Sequence, residues 1–148
     1  KQKTAYEIMP SLVGSEMCIR DSLNREGKVS EAPGACIFAV RQSMLITVPV
    51  TASILESITR DTIMRIARDD LGITVVERDI DRTELYICDE IFLCGTTTEI
   101  VPVVSVDKII IGNGEIGKLT KSIRERYFDI VRGKVKKYEE WTLVINKR

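Results

Sequence analysis

Two apolar runs, Cys36-Ile37-Phe38-Ala39-Val40 and Met44-Leu45-Ile46-Thr47-Val48, flank a short polar stretch, Arg41-Gln42-Ser43. Aromatic and β-branched residues favour extended backbone, and the polar break between the runs is short enough to be a turn. The pair predicts a hairpin over 36–48, so whatever this chain folds into must contain a sheet. The text after it alternates helical and strand signals. Ile63, Met64, Ala67 and Leu71 recur at helical spacing from Thr59 onward, and Gly72 stops the pattern. Ile73–Glu77 is β-branched and reads as a strand, and Asp81 with Glu84 has the spacing of a capping box before a short helix at 82–86. Strands follow at 90–94 and 99–106 around the turn Gly95-Thr96-Thr97, then a short one at 109–111 before the Asn113-Gly114 turn. A last helix spans 119–131, with Leu119, Ile123, Tyr127, Ile130 and Val131 on one face and Gly133 beyond its end. The fold class is mixed α/β.

Residues 1–22 carry neither period, and Pro10 and Gly14 interrupt them. Tyr6 to Ser22 also resembles a translated sequencing-adaptor read-through, so 1–22 is expected to be non-native or disordered, with a genuine N-terminal arm as the alternative. The domain is expected to occupy 23–148, and 148 residues suffice for one real core but not comfortably for two.

Composition narrows the function classes. Twenty-two basic residues balance 22 acidic ones, so no electrostatic case for nucleic acid or an anionic membrane surface arises. No apolar run approaches the ~20 residues of a bilayer span, and Glu7, Glu16, Arg20 and Asp21 break up any signal-peptide core. There is no histidine, which removes Ser-His and Cys-His catalysis. Cys18, Cys36, Cys88 and Cys94 include no CxxC pair, so neither a zinc site nor a disulfide framework is expected. Reduced thiols in a cytoplasmic protein are the expectation.

Three segments could meet a phosphorylated aromatic ligand. Ser57-Ile58-Thr59-Arg60-Asp61 opens a helix, where unpaired amides and the helix dipole favour an anion; taken alone, it is more often a plain cap. Cys94-Gly95-Thr96-Thr97-Thr98 ends a strand with a glycine and three hydroxyls, which is also what an ordinary turn looks like. Ser30-Glu31-Ala32-Pro33-Gly34 holds one glutamate ahead of the hairpin, usually a solvated position.

Taken together, VSEAPGACIF, LITVPVTASILESITRDT and DEIFLCGTTTEIVPVVSVD resemble successive signatures of the fold-type IV aminotransferases, in order from about Asn24 onward. The closing GKLTKSIRERYFDIVRGKVKKYEEW is most similar to the branched-chain amino-acid aminotransferases. The resemblance implies the C-terminal domain of that fold, a mixed sheet or pseudo-barrel with flanking helices. It implies pyridoxal 5'-phosphate as cofactor, amino-acid and 2-oxo-acid substrates, and at least a homodimer. It matches Glu31 to the residue that contacts the pyridine nitrogen, and Ile58 and Thr59 to the pair that holds the phosphate. Thr96 matches a further phosphate contact, and Thr96 with Thr97 the turn that receives the substrate α-carboxylate.

The chain departs from that pattern at several points. Cys36 stands where the family usually has asparagine, Ala35 where it often has glutamate, and Lys118 where proline is common. The lysine that carries the cofactor in the family precedes the Glu31 position by some tens of residues. Here only Lys1, Lys3 and Lys28 precede it, and Lys28 is expected on the opposite strand face from Glu31. No catalytic residue and no metal ligand are therefore assigned. The family's N-terminal domain is absent too, and the chain alone is expected to lack transaminase activity. A D-amino-acid aminotransferase, an aminodeoxychorismate lyase or a non-catalytic cofactor-binding module are the alternatives.

Overall fold

The computed structural model describes residues 15–17 and 22–142. Eight strands form one mixed sheet: β1 (Ser15–Met17), β2 (Glu31–Ala32), β3 (Ala35–Arg41), β4 (Met44–Thr47), β5 (Val75–Glu77), β6 (Glu90–Gly95), β7 (Glu99–Val106) and β8 (Ile109–Ile110). The order is β1-β7-β6-β3-β4-β5, with β2 beside β3 and β8 beside β7. Most neighbours are antiparallel; β1 with β7 and β4 with β5 are parallel. Helix α1 (Ile58–Asp69) joins β4 to β5, and α2 (Lys118–Val131) follows β8. The mixed α/β class expected from sequence is thus the one observed.

The reason CIFAV shows no polar alternation is its position. β3 lies between β4 and β6 and is buried on both faces, as a continuous apolar strand requires. Cys36, Phe38 and Val40 face the helices, where Ile63, Met64 and Ala67 of α1 and Ile123 of α2 pack on them. Ile37 and Ala39 face the other side, against Ile46, Ile80, Leu85 and Val103. Phe38 and Phe92 are directly opposite in the β3–β6 register, and their rings stack with centroids 5.0 Å apart.

Several boundaries shift for identifiable reasons. The hairpin turn is two residues, not three: Arg41 pairs with Met44, and Gln42 and Ser43 take φ of 51° and 61°. That double left-handed conformation is what a tight hairpin demands, and neither residue is glycine. The Asp81–Glu84 capping box does not form. Arg82–Ile87 is a 3-10 turn without a side-chain cap; Asp81 pairs instead with Lys28, and Glu84 accepts from Arg78 and Arg41. Residues 15–17, expected to carry no element, pair as a strand with Val103–Val106. Two 3-10 segments, Val50–Ala52 and Lys136–Trp141, have no sequence-level counterpart.

Two carboxylates secure the helices. Glu90 of β6 accepts from the amides of Leu119 (3.0 Å) and Thr120 (2.7 Å), capping α2 from another element. Gly117 leaves room for that cap, because a Cβ there would overlap the Glu90 side chain and displace it. Asp70, whose side chain is 4% exposed, accepts from Arg126 of α2, Lys137 and Tyr138. Burial pushes the Asp70 carboxyl up, but hydrogen bonds from Lys137, Arg126 and Tyr138 outweigh it and hold it below the ordinary carboxylate value.

Truncating Phe92 to alanine removes a stacked ring from a closed core and should cost about 3–5 kcal/mol in urea unfolding. Asp70→Asn should cost about 2 kcal/mol at neutral pH, since its cationic partners are partly solvated. A depressed carboxyl stabilises above its unfolded value, and the gain disappears as pH falls through the folded one. Asp70→Asn should therefore flatten the acid limb of unfolding midpoint against pH; an unchanged limb would remove Asp70 from the account.

Candidate functional site

Three chain segments meet where β2 and β3, the β6–β7 turn and the N-terminus of α1 come together. They enclose a cleft of about 260 Å³. Glu31, Ile58 and Thr96, singled out from sequence, line it together with Cys36, Ser57 and Cys94. Thr59 does not; its side chain is directed to Tyr127, and it borders a second cleft of about 440 Å³ with Trp141. Thr97 sits exposed on the β6–β7 turn, outside the lining.

Glu31 is positioned by pairing. β2 folds back on β3 so that Glu31 lies opposite Cys36, and its Oε2 accepts the Leu55 amide at 3.1 Å. The loop that offers this amide is tied down in turn by Ser30, whose hydroxyl donates to the Ala52 carbonyl at 2.8 Å. The Gly34 turn and the Gly95 turn approach so closely that a Cβ at Gly95 would lie 2.9 Å from the Gly34 carbonyl. This contact closes one end of the cleft with backbone rather than side chains.

At the opposite wall, the Ser57 side chain caps α1 by accepting the Arg60 amide (3.3 Å), and its carbonyl takes the Asp61 amide (3.0 Å). Among the described hydrogen bonds, none engages the amides of Ile58 or Thr59. The cap thus satisfies the deeper donors and leaves the two outermost ones free, in the positive field of the helix end. Arg60 itself is turned into the protein, donating to the Val48 carbonyl and Glu77.

Cys36 and Cys94 face each other across β3 and β6. The Cys36 thiol is lowered to about 7, chiefly by a hydrogen bond with Cys94 and further by Ser57 and the charge of Arg60, against burial and Glu31. Cys94 is pushed up by the same hydrogen bond and by burial. No lysine lines the cleft among the described residues, and Lys28 is engaged by Asp81. Among the described residues, no group suited to a metal ion occurs and no helix is long and apolar enough to cross a membrane.

Unengaged amides at the start of α1, a carboxylate oriented by a backbone amide and a glycine turn are thus brought together around this part of the fold. Comparison with known proteins identifies the family of the chain. The family model for amino-transferase class IV matches residues 17–106. The chain belongs to the class IV aminotransferase family. A probable branched-chain-amino-acid aminotransferase of Aquifex aeolicus is 45% identical over 119 residues, covering 80% of this chain and 38% of that protein. The Escherichia coli branched-chain-amino-acid aminotransferase is 40% identical over 126 residues, or 85% of this chain and 40% of that protein. The PLP-form of the Thermobaculum terrenum enzyme superposes with a TM-score of 0.79 at 49% identity, covering 80% of this chain and 39% of that one. The chain thus spans about two fifths of the length of the relatives it matches.

Sequence reasoning did not find the Leu55 amide, the Gly34–Gly95 approach or the facing of Cys36 and Cys94. All three depend on register between segments distant in the chain. The only signal available was the glycine in each turn.

Gly95→Ala should force the two turns apart and cost about 1–3 kcal/mol of stability, read from thermal unfolding. Gly34→Ala, whose added Cβ meets no atom within 4 Å, should suffer only the strain of its positive φ.

Proposed function

We propose that this chain is the cofactor-binding, C-terminal part of a branched-chain amino-acid transaminase that uses pyridoxal 5'-phosphate. The observation that carries the proposal is the unengaged amide of Ile58, which lines the same cleft as Glu31, with the unengaged amide of Thr59 next to it in the chain. Those donors suit a phosphate, and a carboxylate suits a protonated ring nitrogen. The residues present fit the phosphate and ring of the cofactor; they do not supply its covalent anchor.

In this reading Glu31, oriented by the Leu55 amide, keeps a proton on the ring nitrogen. When bound, the cofactor supplies an electron sink for the carbanion left by loss of the substrate Cα proton. The amides of Ile58 and Thr59 fix the phosphate, with Thr96 as a further contact. The backbone of the Thr96-Thr97 turn receives the α-carboxylate of leucine, isoleucine or valine, or of 2-oxoglutarate in the return half-reaction. The proton shuttle between Cα and the cofactor needs a lysine, which the residues lining this cleft do not include. The substrate side-chain pocket and a homodimeric assembly belong to the intact parent in this proposal.

The absence of a lysine from the cleft also favours a second reading, a cofactor-binding module without catalysis. Both predict non-covalent binding. Titration of pyridoxal phosphate by absorbance should saturate with the chain as given, and Glu31→Gln should weaken binding about tenfold or more, the cost of one charge-assisted hydrogen bond of about 1.5 kcal/mol. Borohydride should leave no cofactor on any lysine. A labelled lysine, with turnover of valine and 2-oxoglutarate, would refute the inactivity of the chain. Co-expression with a parent-type N-terminal domain carrying the lysine separates the readings, because only the transaminase part regains turnover.

A further inference from the structure

We propose that Cys36 and Cys94 form a dithiol modification site in the lining of the cleft, which a low-molecular-weight disulfide oxidises to a cross-strand disulfide. The two residues are exact partners in the antiparallel β3–β6 register. Directly opposed residues in such a pair have Cα atoms about 4.5–5.5 Å apart, within the roughly 4.4–6.8 Å that disulfides span. Opposed side chains share a face, and both thiols pack in the same cluster, beneath the helices. Each thiol is the leading influence on the other, Cys94 lowering Cys36 and Cys36 raising Cys94.

The pair is also differentiated, as a stepwise exchange requires. Cys36, itself only 3% exposed, is lowered toward its thiolate and is one of the residues that line the cleft. Cys94 is fully buried and held as the thiol. The Cys36 thiolate attacks one sulfur of the small disulfide and expels the other half as a thiolate, leaving a mixed disulfide. Cys94 then gives its proton to that departing thiolate and attacks the Cys36 sulfur, expelling the second small thiol, which takes its proton from solvent. Two protein thiols lose two electrons and one small disulfide gains them. Cys88 provides the internal contrast: it is buried on the opposite face of the sheet, its thiol is raised to about 11 by burial, and it donates to the Glu84 carbonyl.

The test is made on the whole reduced chain, exposed to oxidised glutathione, quenched by acid alkylation and mapped by mass spectrometry after trypsin. Cys88 and Cys94 share one tryptic peptide, 83–108, whereas Cys36 lies alone in 29–41. The expected product is those two peptides joined and two hydrogens lighter, with fragmentation placing the link at Cys94. It should survive in Cys88→Ser, disappear in Cys36→Ser, and form faster as pH rises through about 7. A glutathione adduct that persists on Cys36, a link through Cys18 or Cys88, or a native chain that stays reduced would each overturn the proposal. Mapping of the unmutated chain decides the matter even if a variant does not fold.

Discussion

The stacked rings of Phe38 and Phe92 fix β3 against β6, and the cleft depends on that register. Side chains alternate faces along a strand, so a slip of one residue would send Cys36, Phe38 and Val40 to the wrong side. It would also carry the Gly34 turn away from Gly95 and leave the closed end of the cleft open. Sheet registry costs little to specify when both faces are apolar and the fit is exacting, because every misplaced side chain then leaves a void or a clash. The hairpin that dominates the sequence is therefore the frame of the site, although no proposed cofactor contact lies on its two strands.

The second constraint is the placement of the α1 N-terminus. Ile63, Met64 and Ala67 seat the helix on the sheet, but they leave it free to slide along its axis. Arg60 prevents that. Its guanidinium reaches back to the Val48 carbonyl and to Glu77 of β5, tying the first turn to the strands on either side of the crossover. Asp70 does the same at the other end through Arg126 and Tyr138. The buried charges are thus spent on position, and the amides that face the cleft stay unencumbered.

The division between what sequence reveals and what it conceals has a physical basis. Both helices, the hairpin and the β6–β7 pair were legible, because each rests on local periodicity and a turn signal within a few residues. The Asp81–Glu84 box failed since local spacing cannot foresee that Lys28 and Arg41 arrive from elsewhere with opposite charge. The two-residue turn at Gln42-Ser43 was overestimated by one, as neither residue advertises a positive φ. Glu31, Ile58 and Thr96 were found only through resemblance to a family; their convergence on one cleft is a tertiary fact. Thr59, assigned with Ile58 by the same resemblance, directs its side chain to Tyr127 and lines the second cleft.

Cys36 is where fold and chemistry are least separable. An asparagine there, which the sequence resemblance leads one to expect, would place an amide opposite Glu31 and offer hydrogen bonds to the turn. A thiol offers only a weak donor, and it reaches the Leu55 carbonyl at no closer than 4.0 Å. The loop that orients Glu31 must then be held by other means. Ser30 supplies them through Ala52 and Ser53, a pair of bonds on the far side of β2. Because that support does not pass through position 36, the side chain there is released from a structural duty. A cysteine at such a position can face another cysteine across the sheet without loosening the carboxylate two strands of the cleft are built around.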